Sequence, residues 1–417
     1  MMCNHHCDIL IVGAGPAGLA AAIALRRRGA DVLLADAIRP PIDKPCGEGL
    51  LPDALAALAA LGVSLDGSGV PFTGITFASS EARVSADFPA GPGLGLRRTT
   101  LHALLCERAA ELGVRFSWGS SITLRENQPP TLAGQAVAYR WLIGADGASS
   151  RVRAWARLDR FGLATQHGSA GVSSRRFGFR AHYRLAPGSP VPTHVEVHWG
   201  ALGQAYITPT GPAQNAPAEI CVSAMTRHPG LRLREILSAI PALQVLLASA
   251  EPISAERGCL TLTRRLRRVT RGNIALIGDA SGSVDAITGE GLALSFRQAL
   301  LLADSLSAGR LNLYAARHAA LCALPRRMAS VLLLLDRHPR LRTHALQTLA
   351  AHPALFRSLL AVHTGHQSPS RALFDCAFSR THESTFDTPN DTWAQNCHRL
   401  PASPSWSEPV HLTDLSD

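Results

Sequence analysis

Apolar residues along this chain follow three rhythms, and each predicts a different kind of element. The first is the short continuous run. Asp8-Ile-Leu-Ile-Val12 is apolar and β-branched; Gly13-Ala14-Gly15-Pro16-Ala17-Gly18 and an Ala- and Leu-rich stretch to Arg28 follow it. A second run, Asp31-Val-Leu-Leu-Ala35, ends at Asp36. Continuous runs bounded by turn residues mark strands buried on both faces, so the order reads strand, glycine turn, helix, strand. Two more such runs, 141–144 and 273–277, end in Ala145-Asp146-Gly147 and Gly278-Asp279-Ala280.

The second rhythm is alternation. Residues 177–183, 194–199, 205–208 and 219–223 alternate apolar with polar and are separated by Pro and Gly turns. Several short strands at close spacing predict an antiparallel sheet inserted into the α/β body, and 74–78 with 82–88 reads as a hairpin. The third rhythm is helical: 53–61, an amphipathic stretch to Leu112 opened by Arg97-Arg98-Thr99-Thr100, then 231–249 and much of 291–362. From Gly365 onward polar residues accumulate and apolar periodicity stops, which predicts a disordered tail over 365–417.

The predicted fold class is therefore α/β. A Rossmann-like dinucleotide-binding domain is assembled from 1–70, 95–170 and 258–310. An antiparallel β-sheet substrate domain comes from 71–94 and 171–257, and a helical C-terminal region spans 311–364.

Composition narrows the class. With 417 residues, 46% apolar and 17% charged, collagen-like, disulfide-scaffold and wholly disordered readings are excluded. The charge of +10 is almost all arginine, with Lys44 the single lysine, a bias that fits codon composition and predicts no nucleic-acid partner. Nine scattered cysteines and an amino terminus without basic and apolar signal regions predict a cytoplasmic protein. Cys3, His5, His6 and Cys7 are too crowded for a zinc spacing, so no metal is expected. No uninterrupted apolar run reaches the roughly 18 residues that span a bilayer; membrane contact is expected to be peripheral at most.

The glycine turn carries the first chemistry. Gly13 allows the tight turn, Gly15 lets a pyrophosphate approach the backbone, and Gly18 lets helix and strand pack closely. The phosphates then meet the free N–H groups and positive dipole end of the helix. Asp36, 18 residues past Gly18, stands where a carboxylate accepts hydrogen bonds from a ribose diol. Asp279, at a strand end, suits a sugar-alcohol hydroxyl. The N–H groups after Gly289 sit at a helix N-terminus able to stabilise negative charge.

In this order, the glycine fingerprint, Asp146-Gly147 and Gly278-Asp279 resemble the FAD-dependent aromatic-hydroxylase and geranylgeranyl-reductase-like flavoprotein superfamily over roughly 8–310. The resemblance implies FAD, with Gly13, Ala14, Gly15, Pro16, Ala17 and Gly18 cradling its pyrophosphate and Asp36 on the adenosine ribose. It also implies Arg98, Ile122, Asp146 and Asp279 along the cofactor, and Gly289, Glu290 and Gly291 at the pyrimidine end of the flavin. Where aromatic hydroxylases carry a histidine and a proline after the Gly-Asp pair, this chain has Gly282 and Ala286. That departure, with Pro45-Cys46-Gly47-Glu48-Gly49 and Thr288-Gly-Glu-Gly291, is closer to the reductase-like branch; 195–199 and 206–211 are similar to bacterial flavin monooxygenases of specialised metabolism.

Two reactions follow, and the monooxygenase stands first. In it, NAD(P)H reduces FAD, and molecular oxygen then hydroxylates a hydrophobic small molecule held under an apolar sheet. The other is reduction of an isoprenoid or other carbon–carbon double bond, with Cys46 or Glu48 as acid. An FAD-binding protein without turnover is the minor alternative. One glycine fingerprint means that NAD(P)H meets the flavin transiently across the cleft. Flavin halogenases of this fold use Trp-x-Trp and a site lysine; the first is absent here, and Lys44 is the sole candidate for the second. His198 and Tyr206, with His182, lie on the inserted sheet and are candidates to orient or deprotonate a phenol. Oligomeric state is not legible.

Overall fold

The computed structural model describes residues 5–163, 175–211, 218–368 and 371. Along the chain, β1 (His5–Val12), α1 (Pro16–Arg26) and β2 (Val32–Asp36) form the first unit; α2 (Pro52–Leu61), β3 (Gly74–Ala78), β4 (Arg83–Asp87), α3 (Arg98–Glu111), β5 (Arg115–Trp118) and β6 (Gln135–Gly144) follow. Then come β7 (Arg175–Arg184), β8 (His194–Trp199), β9 (Gln204–Thr210) and β10 (Glu219–Thr226), the helices α4 (Leu233–Ser238) and α5 (Pro241–Leu247), and the strands β11 (Arg257–Leu262) and β12 (Ile274–Leu276). The chain closes with α6 (Gly291–Ser307), α7 (Leu311–Leu321), α8 (Ala323–Arg337), α9 (Pro339–Ala351) and α10 (Pro353–His363).

The body is a parallel sheet in the order β12-β6-β1-β2-β5, edged by the antiparallel pair partner Thr270–Arg271. Ile9, Leu10 and Ile11 are fully buried, as a strand covered on both faces requires. The strand ends of β1, β6 and β12 lie side by side, so the turns that follow them, around Gly13, Ala145 and Gly278, converge on one crevice at the carboxyl edge.

The second sheet runs β7-β10-β9-β8-β3-β4, with β11 on the outer edge of β7. Two details depart from the sequence expectation. The sheet is antiparallel except where β3 pairs with β8 in parallel, because Thr73 joins the sheet by donating to Thr193 O at 2.7 Å and so starts β3 beside the start of β8. β11 still pairs with β7, so the chain returns to the body after 262 rather than at 258.

Alternation gives this sheet two unlike faces. Phe179 and Ala181 of β7, Ala205 and Ile207 of β9, and Ile220 and Val222 of β10 pack under α4 and α5. The opposite face grades from charged to apolar: the cross-strand row Arg180, Ser223, Tyr206, Val197, Phe77 runs across five strands, and the next row is His182, Cys221, Thr208, Val195, Ile75. At the apolar end Phe77 stacks on Trp199 at 5.1 Å and meets Phe356 of α10 at 5.5 Å, while Leu346 of α9 joins the same core.

The stretch Leu311–Arg337 has 27 residues and a most apolar window of mean hydropathy 1.3, enough by length and composition to cross a bilayer. It nevertheless buries one stripe against the body: Leu311, Tyr314, His318, Cys322, Pro325 and Ala329, spaced three and four apart. The predicted tail beyond Ser368 lies, Arg371 aside, outside the described residues.

Candidate functional site

The glycine turn is fixed by sterics. Gly13 has φ +106°, and a Cβ there would lie 2.5 Å from Ala145 O; at Gly18 it would lie 1.8 Å from Gly13 O. At Gly15, by contrast, a Cβ would meet nothing within 4 Å, so the backbone is open to a ligand on that side. α1 starts at Pro16 with no side-chain cap and no acid in its first turn, leaving the N–H groups and dipole end to an anion. The turn is held on two sides: Ala14 N–H donates to Asp36 Oδ2 at 2.7 Å, and buried His102 donates from Nε2 to Ala14 O at 2.9 Å. Burial lowers the His102 pKa, which keeps the neutral donor form. Asp36 also accepts from Ile38 N–H at 2.8 Å and, being half-buried, keeps lone pairs for a ribose diol.

The other two turns meet it. Gly278, at φ +56°, packs on Ala17, and its N–H donates to Gln298 Oε1 at 2.7 Å. Ser281 donates to Gly278 O at 2.8 Å and sits 2.9 Å from His318 Nε2. Burial, then the nearby Arg326 charge, pulls His318 down to about 4. Asp279 thus projects from a turn gripped from behind by α6 and α7. Its side chain opens onto the crevice and is exposed there, yet the surrounding protein mass raises its pKa, with Lys44, Arg98 and Arg153 opposing. Arg153 bridges the second and third turns through Ala148 O at 2.7 Å and Ala280 O at 3.1 Å. Arg98 has a buried Nε with no partner, an orphaned donor of the kind a cofactor phosphate or carbonyl would satisfy.

Asp146 has a different place. Its carboxylate accepts from the Ser150 hydroxyl and from the N–H groups of Arg151 at 2.7 Å and Val152 at 3.1 Å, capping the short helix Arg151–Trp155. Ile122 is buried in the body core, pairing with Leu132 in a small side sheet.

Between crevice and second sheet runs Cys46-Gly47-Glu48-Gly49. A Cβ on Gly47 would touch Ser223 Oγ, and one on Gly49 would touch Val195 and Thr208, so the segment lies directly on the graded face. Glu48 holds the left-handed φ of +59°, uncommon for a side chain of this size. It is fixed by His182 Nε2, which donates to its Oε2 at 2.7 Å, and by Arg98 N–H, which donates to Oε1 at 3.0 Å. Arg180 in turn donates to His182 Nδ1 at 3.0 Å and pairs with Asp43. Glu48, His182 and Cys221 bring three metal-type donors within 4.8 Å, but the buried Arg180 guanidinium already supplies the positive charge there. Cys46 is half-buried; its sulfur accepts weakly from Glu48 N–H at 3.4 Å, leaving the S–H free to donate.

The remaining candidates are occupied. His198 Nε2 bonds Glu196 Oε2 at 2.7 Å; burial works against the Glu196 charge, but hydrogen bonds from His198 and Arg83 outweigh it and hold that carboxyl at about 2. Tyr206 donates to Gln204 Oε1 at 2.9 Å and lies 3.4 Å from Ile287 O; burial raises its phenol, so it is a clamp on the loop before Gly289 and no base. Of the crowded amino-terminal set, the Cys7 thiol is buried, which pushes it up to about 12, and its S–H faces Ala138 O at 3.7 Å; Cys3 lies outside the described residues. An open hollow of about 540 Å³ beside Phe177, Phe179 and Leu231 is on the face under α4, away from Glu48, and does not belong to this site.

Residues that sequence pattern does not single out complete the picture: His102, Gln298, His318 and Arg180. Each is polar and lies in an otherwise apolar or alternating run, a signal that becomes readable only once its partner is known.

Comparison with known proteins agrees with this geometry. A family model described as "FAD binding domain" matches residues 6–310. The menaquinone reductase of Mycobacterium tuberculosis (strain H37Rv) is 30% identical over 362 residues, covering 80% of this chain and 85% of the relative. Digeranylgeranylglycerophospholipid reductase 1 of Methanopyrus kandleri is 25% identical, covering 68% and 76%. The rifampicin monooxygenase of Rhodococcus hoagii is 30% identical over 158 residues only, 35% of this chain. Among solved structures, a triple mutant of the flavin-dependent brominase Bmp2 has the same fold, with a TM-score of 0.68 at 16% identity, over 90% of this chain and 99% of that one. The chain thus belongs to the FAD binding domain family as an FAD-dependent oxidoreductase.

Proposed function

We propose that the protein is an FAD-dependent reductase that adds two hydrogens across a carbon–carbon double bond of a prenyl-bearing lipid. The observation that carries this reading is the Cys46-Gly-Glu-Gly49 segment. It lays a half-buried thiol with a free S–H on the seam between the crevice and the sheet, while the three candidates for phenol chemistry, His182, His198 and Tyr206, are already bonded elsewhere. The reductases also align along most of the chain, and the substrates in both their names carry prenyl chains. This reverses the order that the sequence alone suggests, in which oxygen insertion stands first.

FAD, when bound and reduced, with NAD(P)H as the proposed reductant, would supply hydride chemistry. The protein's residues do the rest. Lys44, Arg98 and the α1 N-terminus hold the charged end of the cofactor. Glu48 and His182 fix the segment that presents Cys46. The Cys46 S–H protonates the carbon left electron-rich, and half-buried Val195, beside Gly49 on the graded face, gives a hydrocarbon an apolar neighbour. A second reading, oxygen insertion, draws on the similarity of 158 residues to the rifampicin monooxygenase.

Cys46→Ala is expected to keep FAD and its reduction by NAD(P)H but to slow anaerobic double-bond reduction by about 100-fold, the scale of a positioned acid. Single-turnover measurements with a prenylated quinone decide it; an unchanged rate removes Cys46 from the role.

A further inference from the structure

One buried cluster is left unused by either reaction. Glu290, the residue before the first turn of α6, is 4% exposed, and its Oε2 has no hydrogen-bond partner. His363, from the last turn of α10, points Nδ1 at that oxygen from 3.7 Å and is itself unpartnered at Nδ1. Its other nitrogen lies 3.2 Å from Thr288 O, a pure acceptor, so Nε2 carries the proton and Nδ1 presents a lone pair to Glu290. Asp53 of α2, half-buried, is the third group, with a buried Oδ1 that has no hydrogen-bond partner; its Oδ2 is 3.7 Å from Arg297. The charged and titratable groups around Glu290 are therefore His363, Asp53 and Arg297, with the Thr288 hydroxyl beside them.

A carboxylate facing an imidazole lone pair is repelled; a carboxylic acid is not. The geometry therefore suits a protonated Glu290. Burial raises its carboxyl to about 7, against Thr288 and Arg297, and burial likewise raises Asp53 to about 6 and lowers His363. Position gives this proton a consequence. Glu290 stands at the N-terminus of α6, in the Gly289–Gly291 turn where added Cβ atoms would meet nothing within 4 Å and where the family resemblance brings the pyrimidine end of the flavin. Ionised, Glu290 cancels the positive end of that helix; protonated, it leaves it intact.

We propose that Glu290, backed by His363 and Asp53, is a proton-uptake site coupled to the charge of the bound flavin: at alkaline pH, where it is ionised beside oxidised flavin, it gains one proton from solvent when the flavin is reduced and releases it on reoxidation. The inference rests on the FAD seat and on neither reaction reading. Two electrons and one proton entering the ring leave it with one negative charge. That charge raises the proton affinity of Glu290, and a second proton passes from water to its carboxylate. By linkage, the protonated Glu290 favours reduction to the same extent.

The test is spectroelectrochemical titration of the FAD-loaded protein between pH 6 and 9, in which the pH slope of the midpoint potential counts protons bound per reduction. Wild type is expected to rise from about one proton per FAD near pH 6, where Glu290 is already protonated, to about two near pH 8. Glu290→Gln should stay near one throughout while still holding FAD. If that variant fails to fold, the wild-type profile alone decides, because a count that is flat or falls with rising pH contradicts uptake by Glu290. A rise that persists unchanged in Glu290→Gln also overturns the proposal.

Discussion

Single residues at this site are held in states that they would not choose in water, and pH exposes them. Glu290, raised to about 7 from an ordinary 4.5, binds its proton more tightly folded than unfolded. The associated stability is complete below pH 4.5 and is lost as pH rises through 7; by pH 8 the loss amounts to roughly 3 kcal/mol, since each tenfold difference in proton affinity between the folded and unfolded chain is worth about 1.4 kcal/mol. Glu290→Gln should therefore raise the melting temperature relative to wild type at pH 8 and much less at pH 5. Melting curves at the two pH values check this, and an equal gain at both contradicts the burial account. Asp279 and Asp146 separate by position. Asp279 faces the crevice, whereas Asp146 caps a helix. Asp279→Ala should lose FAD on gel filtration. Asp146→Ala should cost about 1 kcal/mol of stability as a lost cap and keep more of its FAD.

Among elements, the turns after β1, β6 and β12 make the crevice proposed as the flavin seat, and their tolerance is steric. A Gly18→Val side chain would drive into Gly13 O, where even a Cβ lies at 1.8 Å, so that variant should express without bound FAD or not at all; yellow, FAD-loaded protein would contradict the packing. At the far end of the molecule Phe356 of α10 fills the core against Phe77, and Phe356→Ala should cost about 3–5 kcal/mol, read by denaturant unfolding. Local pattern made these elements legible. A buried parallel strand leaves a continuous apolar run, and a nucleotide turn leaves glycines where no Cβ fits. What pattern could not convey was pairing across the chain. Glu48 and His182 stand 134 positions apart, and Glu290, just before α6, meets His363 from the last turn of α10. The polar face of the second sheet was hidden for the same reason. Alternation says that half the residues face one way, not that Arg180 and His182 face a flavin seat while Phe179 and Ala181 face helices.

On the proposed reading, the molecule joins a flavin seat at the sheet edge, a thiol-bearing segment on the seam, and a sheet face that grades from charged to apolar. The C-terminal helices close the apolar end and reach back to the seat twice, through His318 on Ser281 and His363 beside Glu290. The most direct measurement is mass spectrometry of a prenylated quinone incubated with the FAD-loaded protein and NADPH, with and without oxygen. The account predicts a product that gains two hydrogens in the prenyl chain under strictly anaerobic conditions. A product that forms only in air and gains one oxygen atom would contradict it.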